Sequence, residues 1–174
     1  MTEADTFQQA SDRVAGGADH RVEARAIVAL MTLEEKLGCL DGDSEFWAAM
    51  ADLFSGGIHR HPYPAAAVPR LGVPPFLFAD GPRGCVVSPS TAFPVSMARG
   101  ATFDPALEEE VGEAIGAEQR ANGATYSGAV CMNLLRHPAW GRAQETYGED
   151  PHHVGEMAAA LTRGLQRHVM ACMK

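Results

Sequence analysis

Residues 76–84 read Phe-Leu-Phe-Ala-Asp-Gly-Pro-Arg-Gly, an apolar run closed by a carboxylate and a glycine-proline turn. An unbroken apolar run this short, bounded by turn residues, has the pattern of a strand covered on both faces, as in parallel sheets. The same device recurs downstream. Asp104-Pro105 sets an N-cap before proline at the first helical position. Leu107, Val111, Ala114, Ile115 and Glu118 then keep helical period to about Asn122, and Gly123 suits the helix end. Ala129-Val-Cys-Met132 through Leu135 is a second apolar run. Asp150-Pro151 repeats the cap and proline, and Val154, Met157, Ala158, Leu161 and Leu165 form the buried face of the next helix. Val169–Met173 is a third run, followed by Lys174. Strand, helix, strand, helix, strand predicts a parallel sheet with right-handed crossovers, either doubly wound or part of a (β/α)8 barrel. Neither GxGxxG nor GxxxxGK[ST] occurs, which weakens the nucleotide-binding alternatives.

Upstream, residues 55–75 hold Gly56-Gly57 and prolines 62, 64, 69, 74 and 75, the composition of a long irregular connection. Before it, Val22, Ala26, Ala29 and Leu30 recur at helical spacing, and Thr32-Leu-Glu-Glu35 fits a capping box. Two short helices broken at Met31-Thr32 are predicted there. Residues 1–21 read as a flexible terminus ahead of one domain over 22–174.

Composition narrows the function. The 174 residues carry 22 acids against 14 bases, a net charge of −8, with 46% hydrophobic and 21% charged residues. That is a globular composition whose sign repels nucleic acid. No apolar run is long enough to span a membrane, and Met1–Ala10 lacks the basic start and apolar core of a secretory signal, so the cytoplasm is expected. Cys39, Cys85, Cys131 and Cys172 form no CxxC pair and read as small hydrophobes. His59, His61 and His152-His153 lack a fixed third ligand, so no metal is expected. Gly112-x-x-x-Gly116 lies on a charged helix and reads as close packing of helix on sheet. Trp47 and Trp140 offer flat faces for stacking, with Trp140 better placed beneath the Arg142 loop.

In parallel α/β folds the working groups stand at the C-terminal ends of strands. Asp80 follows the first run, Asn133-Leu-Leu-Arg136 the second and Lys174 the third. A carboxylate that accepts from adjacent hydroxyls, beside cationic donors, suits a polyol, although each residue alone would serve equally as a rim ion pair.

Thr32-Leu-Glu-Glu-Lys-Leu-Gly38, Asp80-Gly-Pro-Arg-Gly84, Thr91-Ala-Phe-Pro94, Gly100-Ala-Thr-Phe-Asp-Pro105, Glu118-Gln-Arg-Ala-Asn-Gly123, Asn133-Leu-Leu-Arg-His-Pro-Ala-Trp-Gly-Arg142, Glu145-Thr-Tyr-Gly-Glu-Asp-Pro151 and Cys172-Met-Lys174 occur in this order. In order and spacing the chain resembles the N-terminal barrel domain of glycoside hydrolase family 3, from about residue 22 to 174. The resemblance implies a partial (β/α)8 TIM barrel, roughly the first three β/α units behind an N-terminal helical segment. It also implies a retaining, β-glucosidase-like hydrolase that uses no cofactor. Asp80 matches the aspartate that grips sugar hydroxyls in the −1 subsite, Arg136 an arginine lining that subsite, and Lys174 the lysine of a Lys-His pair that binds the same sugar. Arg142, Glu145, Glu149 and Asp150 match the pattern too, and read as loop braces and a helix cap. Retaining hydrolysis needs two carboxylates about 5–5.5 Å apart. The resemblance places both beyond Lys174, so no catalytic residue is assigned and the isolated chain is expected to be inactive. The alternatives are a non-catalytic sugar-binding or pairing module, with self-association through the exposed last strand, and a metal-dependent barrel hydrolase using the histidines.

Overall fold

The computed structural model describes residues 6–174. They divide into two compact units, one running to Ala49 with Pro64–Phe76, the other Met50–Tyr63 with Leu77–Lys174.

The first unit opens with α1 (Thr6–Ala15), α2 (His20–Leu30) and α3 (Leu33–Gly38). Asp19 caps α2 by accepting from the Arg21 N–H at 2.8 Å. The predicted break at Met31-Thr32 is present, and the capping box is complete: Glu35 N–H donates to Thr32 Oγ1 at 3.2 Å, and Thr32 N–H to Glu35 Oε2 at 2.9 Å. Ala10, Ile27, Val68 and Leu71 form this unit's core, with Phe7, Met31, Cys39 and Val73 packed on it. The terminus expected to fray is therefore helical from Thr6. Ala10 is buried and Phe7 covers the core, and that apolar pair outweighs the polar residues around it. Residues 1–5 of that expectation lie outside the described residues.

Helix α4 (Phe46–Phe54) was not foreseen, because Phe-Trp-Ala-Ala-Met-Ala-Asp-Leu-Phe has no clear apolar period. The Glu45 carboxylate starts it, accepting from the Trp47 and Ala48 N–H groups at 3.1 and 2.8 Å. The proline-rich stretch expected to be irregular holds 3₁₀ turns at Gly57–His59 and Pro69–Leu71, with a strand, β1 (Tyr63–Ala65), between them. Proline's fixed φ is compatible with a helix start and with an edge strand.

The sheet has four strands in the order β1-β2-β3-β4, with β2 (Phe76–Ala79), β3 (Tyr126–Val130) and β4 (Met170–Met173). The predicted parallel pairing holds for these last three: Phe78 pairs with Tyr126, and Tyr126 with Met170. Burial on both faces holds for β3 alone. Phe76 is exposed at the start of β2, as are Met170 and Met173 at the ends of β4. The second strand also begins earlier than the apolar run suggested, at Tyr126, and the chain leaves it at Cys131. Thr125 anchors the entry, donating its N–H to Leu77 O and accepting from Leu77 N–H at its hydroxyl, both at 2.9 Å.

The short helix α5 (Ser96–Gly100) precedes α6 (Pro105–Ala121), and α7 (Pro151–Leu165) leads into β4. Asp104 caps α6 by accepting from Ala106 and Leu107 N–H, and Asp150 caps α7 through His153 N–H at 2.7 Å. Val111, Ile115, Val130, Met157, Leu161 and Leu165 belong to the second unit's main core. Gly112 and Gly116 serve helix-on-helix packing rather than the expected helix-on-sheet contact. A Cβ on Gly112 would lie 2.5 Å from Leu161 O, and one on Gly116 3.1 Å from Leu165 O. No helix among the described residues is long and apolar enough to cross a membrane.

Candidate functional site

Asp80 leaves β2 into a turn built on Gly81 (φ 136°) and Gly84 (φ 132°), backbone geometry that L side chains rarely adopt. Gly81 N–H donates to Asp80 Oδ1 at 3.0 Å, and the buried Gln119 amide on α6 donates to Asp80 O at 3.3 Å. Both ends of the aspartate are thereby held. Lys174 extends the β4 pairing, donating its N–H to Val130 O at 3.0 Å and accepting from Met132 N–H at 2.8 Å. Its Nζ reaches Asp80 Oδ1 at 3.3 Å, with each side chain about one third exposed. The space over the intervening strand exists because residue 128 is glycine. A Cβ there would come 3.0 Å from Asp80 Oδ1 and 2.7 Å from the Phe78 ring. Glycine inside a strand marks such close approach, so this signal was available in the sequence.

Arg136 does not join this pair. It lies beyond the end of β3, exposed, and lines an open hollow of about 580 Å³ with Met132, Asn133, Leu134, His137 and Trp140. Met132 links the two places, because its N–H bonds Lys174 O while its residue lines the hollow. Trp140 lines this hollow.

Arg142 and Glu145 pair with each other and feel the charges of Asp80 and Lys174. Arg142 Nε donates to Glu145 Oε1 at 2.9 Å, and its Nη2 pairs with the second oxygen. That pairing holds the Glu145 carboxyl below the usual range, despite partial burial, and Lys174 adds to the depression. The Arg142 guanidinium is raised above its ordinary value, by Glu145 first and with a contribution from Asp80. Cys131 Sγ lies 3.7 Å from Glu145 Oε2, and burial pushes the thiol up while Lys174 works against that shift. Asp80, Cys131, Arg142, Glu145 and Lys174 thus share one electrostatic neighbourhood at the C-terminal ends of the strands. The strand boundary concealed it. With β3 ending at Val130, Cys131 is the first residue past the strand, and the loop to Tyr147 folds back over it.

The remaining candidates are occupied locally. His59 Nδ1 is 3.1 Å from Val86 O, His61 Nε2 is 3.0 Å from Asp52 Oδ2, and the His153 ring lies 4.7 Å from that of Phe103. Among the described residues, no three His, Cys, Asp or Glu side chains gather as metal ligands. The four cysteines are free thiols; Cys85 and Cys131 are buried, Cys39 and Cys172 half-buried.

Chemically, the arrangement offers an acceptor and a donor at contact distance, with the Arg142–Glu145 pair in electrostatic reach. A carboxylate held ionised by a guanidinium accepts hydrogen bonds and is a poor general acid near neutrality.

The family model for the glycosyl hydrolase family 3 N-terminal domain matches residues 58–174. A β-glucosidase of Rhizobium radiobacter is 35% identical over 148 residues, covering 81% of this chain and 16% of that protein. Thermostable β-glucosidase B of Acetivibrio thermocellus is 32% identical over 167 residues, 88% of this chain and 20% of that one. Among solved structures, β-glucosidase 3B of Thermotoga neapolitana in complex with α-D-glucose matches with a TM-score of 0.71 at 34% identity, over 86% of this chain and 22% of that one. The chain therefore spans between 16% and 22% of the length of these relatives.

Proposed function

This chain belongs to glycosyl hydrolase family 3, and we propose that it forms the sugar-gripping part of a β-glucosidase-like active site, on the first units of a (β/α)8 barrel. Asp80 accepts hydrogen bonds from adjacent hydroxyls of a terminal glucosyl residue, Lys174 donates to a neighbouring hydroxyl, and Arg136 with Trp140 borders the same sugar from the adjoining hollow. The observation that carries this reading is the Asp80–Lys174 contact over Gly128. A charge pair left about one third exposed keeps lone pairs and N–H groups for a polyol, whereas a buried brace would have spent them.

No residue of the chain is assigned as nucleophile or acid/base. Arg142 holds the Glu145 carboxyl ionised, so it does not offer the protonated carboxyl that leaving-group departure in retaining hydrolysis requires, and Asp80 is engaged by Lys174 in gripping the sugar. The purified chain is expected to bind glucose, with an affinity of about a millimolar, and to leave an aryl β-glucoside intact. Titration followed by ¹H–¹⁵N spectra should show saturable shifts at Gly81 and Gly128, lost in Asp80→Asn and in Lys174→Met. Turnover abolished by Asp80→Ala would show that the catalytic groups are misassigned, and an absence of saturable shifts would remove the sugar site.

A second reading has its own observation. β4 is last in the sheet order, with Met170 and Met173 exposed, so its outer edge can add a strand from another chain. A pairing module would self-associate in sedimentation without binding glucose.

A further inference from the structure

Beneath the site lies a buried charge cluster that no sugar could touch. Arg99 on α5 is 3% exposed, Glu108 on α6 is 1% and Tyr147 is 4%. Arg99 Nε donates to Glu108 Oε2 at 2.8 Å and its Nη2 to Oε1 at 3.1 Å, while Tyr147 Oη donates to the same Oε1 at 2.5 Å. Burial works against the charge on Arg99, yet Glu108 holds the guanidinium above its ordinary value. Burial and the Glu108 carboxylate push the Tyr147 phenol far up.

A buried charged fork is a costly way to fill space; apolar side chains of equal volume are often as stabilising or more so. What distinguishes this cluster is where its remaining hydrogen bonds go. Arg99 Nη2 donates to Pro82 O at 3.0 Å, and Nη1 to Pro94 O. Pro82 belongs to the Asp80–Gly84 turn, and Phe93 N–H closes that turn from outside by donating to Arg83 O at 2.7 Å. Tyr147 ends the segment that carries Arg136, Trp140, Arg142 and Glu145. That segment is tied off beside it, with the Thr146 hydroxyl on Asn133 O and Leu135 N–H on Gly148 O at 3.0 Å. Gly100 lets α5 lie against Tyr147, because a Cβ there would stand 2.8 Å from Tyr147 O. One guanidinium and one carboxylate therefore connect both loops of the site.

We propose that Arg99, Glu108 and Tyr147 are positioning residues that hold the Asp80 turn against the Asn133–Tyr147 loop, and so set the spacing of the sugar-gripping groups without touching the sugar. The part concerning sugar rests on the reading of Asp80 and Lys174 as its ligands; the mechanical part does not.

Arg99→Lys tests it. Lysine keeps the charge opposite Glu108 but lacks the fork that also reaches Pro82 O and Pro94 O. Amide hydrogen exchange in the sugar-free protein should rise about tenfold at Gly84 and Phe93 while Ile115 and Leu161 in the core keep their protection. Glucose affinity should fall about tenfold alongside. Uniform acceleration across core and loops, or no acceleration at Gly84 and Phe93, overturns the proposal by reducing the cluster to ordinary core. Should Arg99→Lys fail to fold, Tyr147→Phe removes a single hydroxyl, and faster exchange at Leu135 is expected; unchanged exchange there overturns the proposal equally. If the unsubstituted chain binds no glucose, the sugar reading fails, and the exchange comparison still decides whether the brace exists.

Discussion

Replacing Gly164 by alanine should separate α6 from α7. A Cβ at that position would lie 2.2 Å from Glu109 O, 2.5 Å from Glu113 N and 2.8 Å from Gly112 C, whereas ordinary contact begins at 3.4 Å. All three neighbours are backbone, so no side chain can swing aside. Opening the nearest contact from 2.2 to 3.4 Å needs the helices to part by about 1.2 Å along that line. That movement loosens Ile115, Met157, Leu161 and Leu165, all fully buried between them. Overpacking of this kind costs about 1–3 kcal/mol, and a rigid backbone clash belongs at the upper end. Alanine's better helix propensity returns about 1 kcal/mol, leaving about 2 kcal/mol of net destabilisation. In a chain of this size that lowers the thermal midpoint by about 4–8 °C. Gly155, on the same helix, has nothing within 4 Å of its would-be Cβ. Gly155→Ala should therefore stabilise by about 0.5–1 kcal/mol. Urea unfolding followed by circular dichroism measures both, with an unchanged slope confirming that stability alone has moved. The reasoning fails if Gly164→Ala is as stable as the parent, or if the two variants shift in the same direction.

Three further outcomes follow from local geometry. The Glu35 carboxyl is lowered from 4.5 to about 2, by Arg70 first and then by the Thr32 N–H; its contribution is complete above pH 4.5 and lost as the pH falls toward 2, so the thermal midpoint should drop more steeply across that window in the parent than in Arg70→Met. Asp104→Ala leaves the Ala106 and Leu107 N–H groups without their acceptor and should cost about 1 kcal/mol in urea unfolding, with Asp104→Asn retaining most of it. Gly128→Ala drives a methyl toward Asp80 Oδ1 and the Phe78 ring, and should weaken glucose binding about tenfold; an unchanged titration curve would mean the Asp80 carboxylate has room to spare.

The parts of the fold written in short-range chemistry were legible. Asp104-Pro105 and Asp150-Pro151 start their helices as read, and the Thr32–Glu35 box closes as read, because caps involve residues only two or three apart. Strand boundaries were less legible. Apolarity pointed to Ala129, whereas β3 starts at Tyr126, where Thr125 and Gly128 are chosen by their neighbours on β2 rather than by the core. The site shared that fault. Lys174 Nζ stands 3.3 Å from Asp80 Oδ1, Arg136 lines a hollow beyond β3, and the contact of Cys131 with Glu145 was not readable from their spacing. Contacts across the ends of different strands depend on register, and a single sequence carries no direct record of register.

Helix α6 explains how so small a site can be held by distant residues. Glu108, Gly112, Ile115, Gly116 and Gln119 recur at spacings of three and four, so they share one face. All are buried, yet the face is polar at both ends and open in the middle. At its N-terminal end Glu108 receives Arg99 and Tyr147, and through them the Pro82 carbonyl and the loop ahead of Gly148. In the middle, Gly112 and Gly116 admit the backbone of α7, the helix that delivers β4 and Lys174. At the C-terminal end Gln119 donates to the Asp80 carbonyl. A purely apolar stripe would bury as much surface, but it could not address these three partners separately. The polar breaks in the stripe are where the helix stops serving as filler and sets Asp80 and Lys174 at contact distance.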